Sequence, residues 1–284
     1  MRGRGSCHHR SWAAPPSSDR AFRAGCPCCR ACPATRACTI WPPLRATLER
    51  VVDFERLNGG DVRLTIVAVD VTTGEEVHFD TDKVRLGPDH LLACSGFIPF
   101  FPPVEMDGRL LGDGGMAANL PLEAALEEPS DEDRLCIAID LFRRSGGRPR
   151  TVGQAMDRQL DLLLSSQSAQ AVRSLRRVHE LRRHLRRLGE RLPEGRRGDA
   201  DVASALAEGA KDGDGATTLL LLSLAPVSRD VELRAFDYSR PVLAERWDAG
   251  RAAMEAALRG LDGQRAAPGE FAVRLAGGEA AGVQ

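Results

Sequence analysis

The stretch richest in chemistry is DGRLLGDGGMAANLP at 107–121, where Asp113-Gly114-Gly115 sets a carboxylate before two glycines. Glycines there accept positive φ at little steric cost, so the acid can be held at a tight backbone site. Such an aspartate serves either as a general base or as a turn residue, and Asp-Gly turns are common. A base needs a group to deprotonate, and few residues offer one. No Gly-x-Ser-x-Gly elbow occurs in the 284 residues. Ser6, in GRGSC, lacks the closing glycine, a preceding strand and a following helix, and Ser95, in ACSGF, falls at the end of a short helical stretch. His78, His90, His179 and His184 have no serine or cysteine at motif spacing. Cys94 and Cys136 lie in apolar stretches and read as small buried hydrophobes. No nucleophile is found.

Metals and cofactors fare no better. Cys29-x-x-Cys32 gives one pair at zinc-like spacing, with His8 and His9 upstream, whereas a zinc site needs two workable pairs. DGDG at 212–215 lacks the ordered oxygens and closing glutamate of a calcium loop. Neither a metal nor a cofactor is expected. A net charge of -1 provides no global field toward nucleic acid, so no such partner is expected. The longest apolar run, LLLLSLAPV at 219–227, is about half of the roughly 20 residues a spanning helix needs. The basic N-terminus lacks the apolar stretch of a secretory signal. The expected location is the cytoplasm, with loose attachment to a membrane surface as the alternative.

Several elements must position Asp113. LRATLERVV (44–52) has helical spacing, VRLTIVAVDV (62–71) reads as a β-branched strand, and TTGEE turns it into VHFDT (77–81) as a hairpin. GPDHLLACSG (87–96) starts a short helix with Asp89 as its N-cap. Pro99, Pro102 and Pro103 force an extended path, and Asp107-Gly108 makes a turn. Asn119 caps a following helix, with Pro121 in its first turn. RLCIAIDLF (134–142) is near-continuously apolar, as a strand covered on both faces would be. Interleaved strands and helices favour an α/β layered domain.

From Thr151 the pattern changes. Val172, Leu175, Val178, Leu181, Leu185, Leu188 and Leu192 step by three or four along one long helix. Arg173, Arg176, Arg177, Arg182, Arg183, Arg186, Arg187 and Arg191 surround that stripe. The stripe is expected to pack on the domain; burial at an anionic lipid surface is the alternative for this Arg-rich helix, 172–192. Residues 193–215 read as a loop-rich connector, 217–225 as a strand, and 241–260 as a last helix ending at Gly260.

The string FFPPVEMDGRLLGDGGMAANLPLEAAL resembles the segment of patatin-like lipid acyl hydrolases that carries the catalytic aspartate. A proline-rich approach, an Asp-Gly hairpin, Asp-Gly-Gly and an Asn-x-Pro follow in family order from Phe97 to Leu126. VRLTIVAVDVTTGEEVHFDT is similar to the family's preceding strand pair. VGQAMDRQLDLLLSSQ, the Arg-rich helix and FDYSRPVLAERWDAG resemble a C-terminal extension of a bacterial subset. The resemblance spans Pro43 to Leu258. It implies an incomplete three-layer α/β/α domain at 43–150 and a mainly helical extension with one strand at 151–260. A disordered or non-homologous leader at 1–42, holding Cys7, Cys26, Cys28, Cys29, Cys32 and Cys38, would precede them, and a flexible tail at 261–284 would follow.

The resemblance also implies a serine–aspartate dyad acting on a lipid or other acyl ester. Asp113 would accept the serine's proton, with Gly114 and Gly115 completing the motif. The expected protein is a truncated acyl hydrolase carrying the aspartate half of the dyad; a catalytically inactive lipid- or partner-binding protein is the alternative. Missing first strands would leave an open apolar edge at 62–71 or its neighbour, so self-association is expected.

Overall fold

The computed structural model describes residues 42–126, 128–213, 215–223 and 237–277. The leader expected over 1–42 lies outside them except for Pro42, as do residues 278–284. Two helices open the described chain, α1 (Pro42–Val51) and α2 (Phe54–Leu57), the second capped by Asp53. The β-branched run then forms β1 (Thr65–Asp70), which reverses through Gly74 into β2 (Glu76–Asp80). The two pair antiparallel from Thr65↔Asp80 to Val69↔Glu76, the hairpin expected from their alternation.

Helix α3 (Pro88–Ala93) follows, and its cap is Gly87 rather than Asp89. Pro88 takes the first helical position, so Asp89 is already inside the first turn and cannot cap it. It pairs instead with Arg45 of α1. Next come β3 (Val104–Met106) and β4 (Arg109–Asp113), joined by Asp107 and Gly108 at φ 51° and 74°. Two successive positive φ values are what a tight hairpin needs to match strand twist. β4 also pairs with β1, giving the order β2-β1-β4-β3. β1 therefore has a neighbour on each side, so of the open edge expected at 62–71 or its neighbour only the second place remains: β2 ends this sheet. α3 lays Ala93 against Ala68 and Leu111, with Phe79 and Val104 packed around them.

A second sheet is parallel: β5 (Arg134–Asp140), β6 (Thr217–Ser223) and β7 (Phe271–Gly277), in that order. Leu219, Leu220, Leu221 and Leu222 of the central strand are all buried, as suits a parallel strand covered on both faces. α8 (Arg240–Arg259) lies between β6 and β7 in the chain. β7 falls where a flexible tail was expected, so part of 261–284 is ordered sheet. β5 departs from expectation differently. Ala138 and Asp140 are buried, yet Ile137 and Ile139 on its other face are 42% and 56% exposed. Its only strand partner among the described residues is β6. This sheet thus has an edge strand with exposed apolar side chains as well.

The short helix α4 (Leu122–Leu126) leads toward β5, and α5 (Val152–Arg191) is 40 residues long, with Thr151 as N-cap. Val172 of α5 packs with Leu120, Leu122, Ala138, Leu219 and Leu221 in one core. The stripe expected to pack along 172–192 holds only at its start. Val178, Leu181 and Leu188 are exposed, while His179 and Gly189 are buried. Non-local packing explains the change. Residues 193–215, expected as a connector, form α6 (Glu194–Arg197) and α7 (Ala200–Gly209). α7 covers the opposite side of α5, where Gly189 admits Leu206 and Arg182 meets Glu208 at 2.9 Å.

Candidate active site

Asp113 is the last residue of β4, and three backbone features fix it. Its Cα pairs with Ala68 of β1, its N–H donates to Gly96 O at 3.1 Å, and a 3₁₀ turn, Gly114–Met116, begins directly after it. The side chain caps that turn: Oδ1 accepts from the N–H of Gly115 at 2.8 Å. Among the described residues Oδ2 has no hydrogen-bond partner. The carboxyl is half-buried, and burial pushes its pKa up, opposed by the Gly115 hydrogen bond. A carboxylate so raised is a better proton acceptor than one in water.

The two glycines do a different job from the one expected of them. Neither has positive φ; the positive-φ glycines are Gly60, Gly74, Gly108, Gly213 and Gly269. Gly114 is required by proximity instead, because a Cβ there would lie 2.3 Å from Val67 O on β1. At Gly115 a Cβ would come within 3.0 Å of Asp113 Oδ1, crowding the hydrogen bond that orients the carboxylate. Gly96 and Gly112 pass equally close, the Gly96 Cβ position lying 3.2 Å from Gly112 Cα. That crossing brings Gly96 O within reach of the Asp113 N–H.

Ser6 lies outside the described residues, and among those described the other candidates supply no nucleophile beside Asp113. Ser95 is exposed and its Oγ donates to Leu91 O at 2.8 Å, a bond back along its own helix. The half-buried Cys94 beside it donates Sγ to Leu91 O at 3.2 Å. Burial pushes the Cys94 thiol up; the Ser95 contact opposes this and the charge of Asp113 adds to it. The group therefore stays a thiol at neutral pH and is a poor attacking species. Cys136 is likewise pushed up by burial. His78 meets Glu76 at 3.0 Å, and His90 Nδ1 accepts from Gly87 N–H at 3.0 Å, so both serve local structure.

Beyond Asp113 lies a buried polar latch that the sequence reading missed. Asn119, expected as a helix cap, instead donates Nδ2 to Ser168 Oγ of α5 at 2.9 Å. Its backbone N–H reaches Gln167 Oε1 at 3.3 Å. Ser168 donates to Leu164 O at 3.2 Å and also contacts Asp140 at the end of β5. Burial raises the Asp140 pKa and nearby Asp161 adds to this, against hydrogen bonds from Phe142 N–H and Ser168. Asp161 is raised by burial too, against Arg143 and Arg158. The latch ties the turn after Asp113 to the long helix and the second sheet. Its one trace in the sequence is the small polar run Ser165-Ser166-Gln167-Ser168 inside an otherwise helical pattern.

Fold and site together define an α/β protein that presents a half-buried strand-end carboxylate, braced by glycine crossings. Residues 41–126 match the family model described as Patatin-like phospholipase, and residues 164–268 match one described as Patatin phospholipase. The two segments take in more than half of the chain. The chain belongs to the patatin-like phospholipase family, a family of lipid hydrolases. No curated protein matches it.

Proposed function

We propose that this chain carries the aspartate half of a lipid acyl hydrolase site, with Asp113 as the proton acceptor for a serine attacking an acyl ester. The observation that carries this is the state of Asp113: raised by burial, aimed by Gly115, with Oδ2 uncommitted among the described residues. In the acylation step the serine oxygen forms a bond to the ester carbonyl carbon and its proton passes to the Asp113 carboxylate. The tetrahedral intermediate then collapses, the ester C–O bond breaks, and the proton goes to the leaving alcohol. Water then attacks the acyl-enzyme carbonyl carbon and gives a proton to Asp113. The bond to the serine oxygen breaks, Asp113 returns the proton to that oxygen, and the carboxylic acid leaves. The chain has no Gly-x-Ser-x-Gly elbow, so the serine must come from another polypeptide segment.

The exposed face of α5 supports contact with the substrate's surface. Arg177, Leu181, His184, Leu188 and Arg191 follow one another at steps of four and three, so they share one side of the helix, and all are exposed. Apolar side chains flanked by arginines can sink into the headgroup boundary of an anionic bilayer. The same face would serve a non-catalytic lipid-binding protein equally well, so one experiment separates the two readings. A polypeptide bearing a Gly-x-Ser-x-Gly elbow is supplied in trans, and hydrolysis of a soluble short-chain ester and of anionic vesicles is followed. Asp113→Asn is expected to lower both rates about 10²–10⁴-fold, the range for removing a general base. Leu181→Ser with Leu188→Ser should lower only vesicle hydrolysis. Turnover indifferent to Asp113→Asn would sink the catalytic reading.

A further inference from the structure

Gly115 aims Asp113 through its N–H, yet a glycine has no side chain to hold its own peptide in place, so its neighbours must do so. The turn that follows is stiff: Gly114 O accepts from the N–H groups of Ala117 and Ala118 at 2.9 and 2.8 Å. Asn119 comes next and is tied to α5 at two points, by its backbone N–H to Gln167 Oε1 at 3.3 Å and by Nδ2 to Ser168 Oγ at 2.9 Å. With Nδ2 committed to α5, Oδ1 lies toward the turn. The Cβ position of Gly115 is 3.7 Å from Asn119 Oδ1 and 3.0 Å from Asp113 Oδ1. The carboxamide and the carboxylate thus close on the same glycine.

Ser168 is 1% exposed, so the protein must supply its partners. A hydroxyl has one proton and two lone pairs. Asn119 takes a lone pair, and two acceptors face the proton, Leu164 O at 3.2 Å and the carboxyl of Asp140. Donation to Asp140 strengthens Ser168 as an acceptor for Asn119, because hydrogen bonds in a chain polarise one another. Asp140 is well placed for this. It ends β5, is 7% exposed, and its Oδ1 accepts from the Phe142 N–H at 3.1 Å. β6 sets uncharged Ser223 opposite it, and α5 brings Asp161, whose own charge is countered by Arg143 and Arg158. A buried chain therefore runs from the end of β5 through Ser168 and Asn119 to Gly115.

We propose that Ser168 and Asp140 are positioning residues for Asp113, acting through Asn119 to hold Gly115 where its N–H orients the carboxylate. Their part in catalysis rests on the acyl hydrolase reading of Asp113; their hold on Gly115 does not. The site thereby extends to α5 and the end of β5.

Amide hydrogen exchange on the full chain, read by NMR at Gly115, tests this without a serine or an ester, so its outcome is separate from that of hydrolysis. Ser168→Ala removes the acceptor for Asn119. It should speed Gly115 exchange about 10-fold, the weight of one hydrogen bond, and move the Gly115 proton signal upfield as the bond to Asp113 Oδ1 lengthens. Asp140→Asn keeps the shape and an oxygen for the Phe142 N–H, and should act in the same direction to a smaller extent. The Val71 N–H, which donates to Leu110 O at 2.8 Å beside the β1–β4 pairing, reports on the sheet and should not change. Because the residues act in series, Asn119→Ala with Ser168→Ala should exchange at Gly115 no faster than Asn119→Ala alone. Gly115 exchange unchanged in either Ser168→Ala or Asp140→Asn, changed only together with Val71, or additive in the double variant overturns the proposal.

Discussion

Asp113 is a carboxylate that the folded protein binds to its proton more tightly than the unfolded chain does. Burial is the cause, and the Gly115 N–H only partly offsets it. Stability linked to this residue is therefore fully present below the unfolded pKa of about 3.9 and is lost as pH rises through the higher folded value. Asp113→Asn keeps an oxygen for Gly115 and removes the charge. Its melting temperature is expected to exceed that of the unaltered chain at pH 7 and to equal it at pH 3. A melting temperature unchanged or lowered at pH 7 would contradict the account. Asp80 shows the opposite sign: Arg63 and the Asp82 N–H hold it at about 2, so its contribution is lost as pH falls through that value. At this scale the sequence singled out Asp113 but did not show how its neighbours hold it. The glycines after Asp113 suggested positive φ, whereas the structure uses them for close approach to Val67 O, a contact between strands far apart in sequence.

Among the elements, the junction of β4 with its 3₁₀ turn is the tightest part of the site. A Cβ on Gly114 would press on the backbone of β1, which has no rotamer to yield. Gly114→Ala is expected to lower unfolding free energy by about 1–3 kcal/mol, as overpacking does. Gly147, with nothing within 4 Å of its Cβ position, is the control. Urea denaturation that finds the two alanine variants equally stable would refute the proximity argument. Elements built from local signals were legible: the β1–β2 hairpin, the Asp107-Gly108 turn and the end of α8 at Gly260 all follow from residues close in sequence. Elements decided by distant partners were not. The packed face of α5 depends on α7, and β7 becomes a strand because β6 offers it an edge.

For the whole molecule, the α/β class was readable from interleaved strands and helices, but the division into two sheets was not. Parallel pairing of residues 134–140 with 217–223 leaves no short-range signature. We propose that, if the chain self-associates, it does so through β5, where Ile137 and Ile139 are exposed on a strand with one described neighbour. Placing a charge there blocks edge pairing and apolar contact together. Ile139→Lys is expected to shift the chain toward monomer in sedimentation velocity, leaving its melting temperature little changed. An unaltered protein that already sediments as a monomer would dispose of this idea.

The division into two sheets also sets an order of assembly. β1, β2, β3 and β4 all lie within residues 65–113 and join by antiparallel pairing between nearby segments, which closes short loops. β5 must wait for β6 and β7, strands that leave the ribosome much later and close far longer loops. The strand bearing Asp113 can thus take shape early in synthesis. Asn119 finds Ser168 only after α5 has been made. The local pairings around the carboxylate thus precede, in chain order, the helix whose Ser168 holds the turn after it.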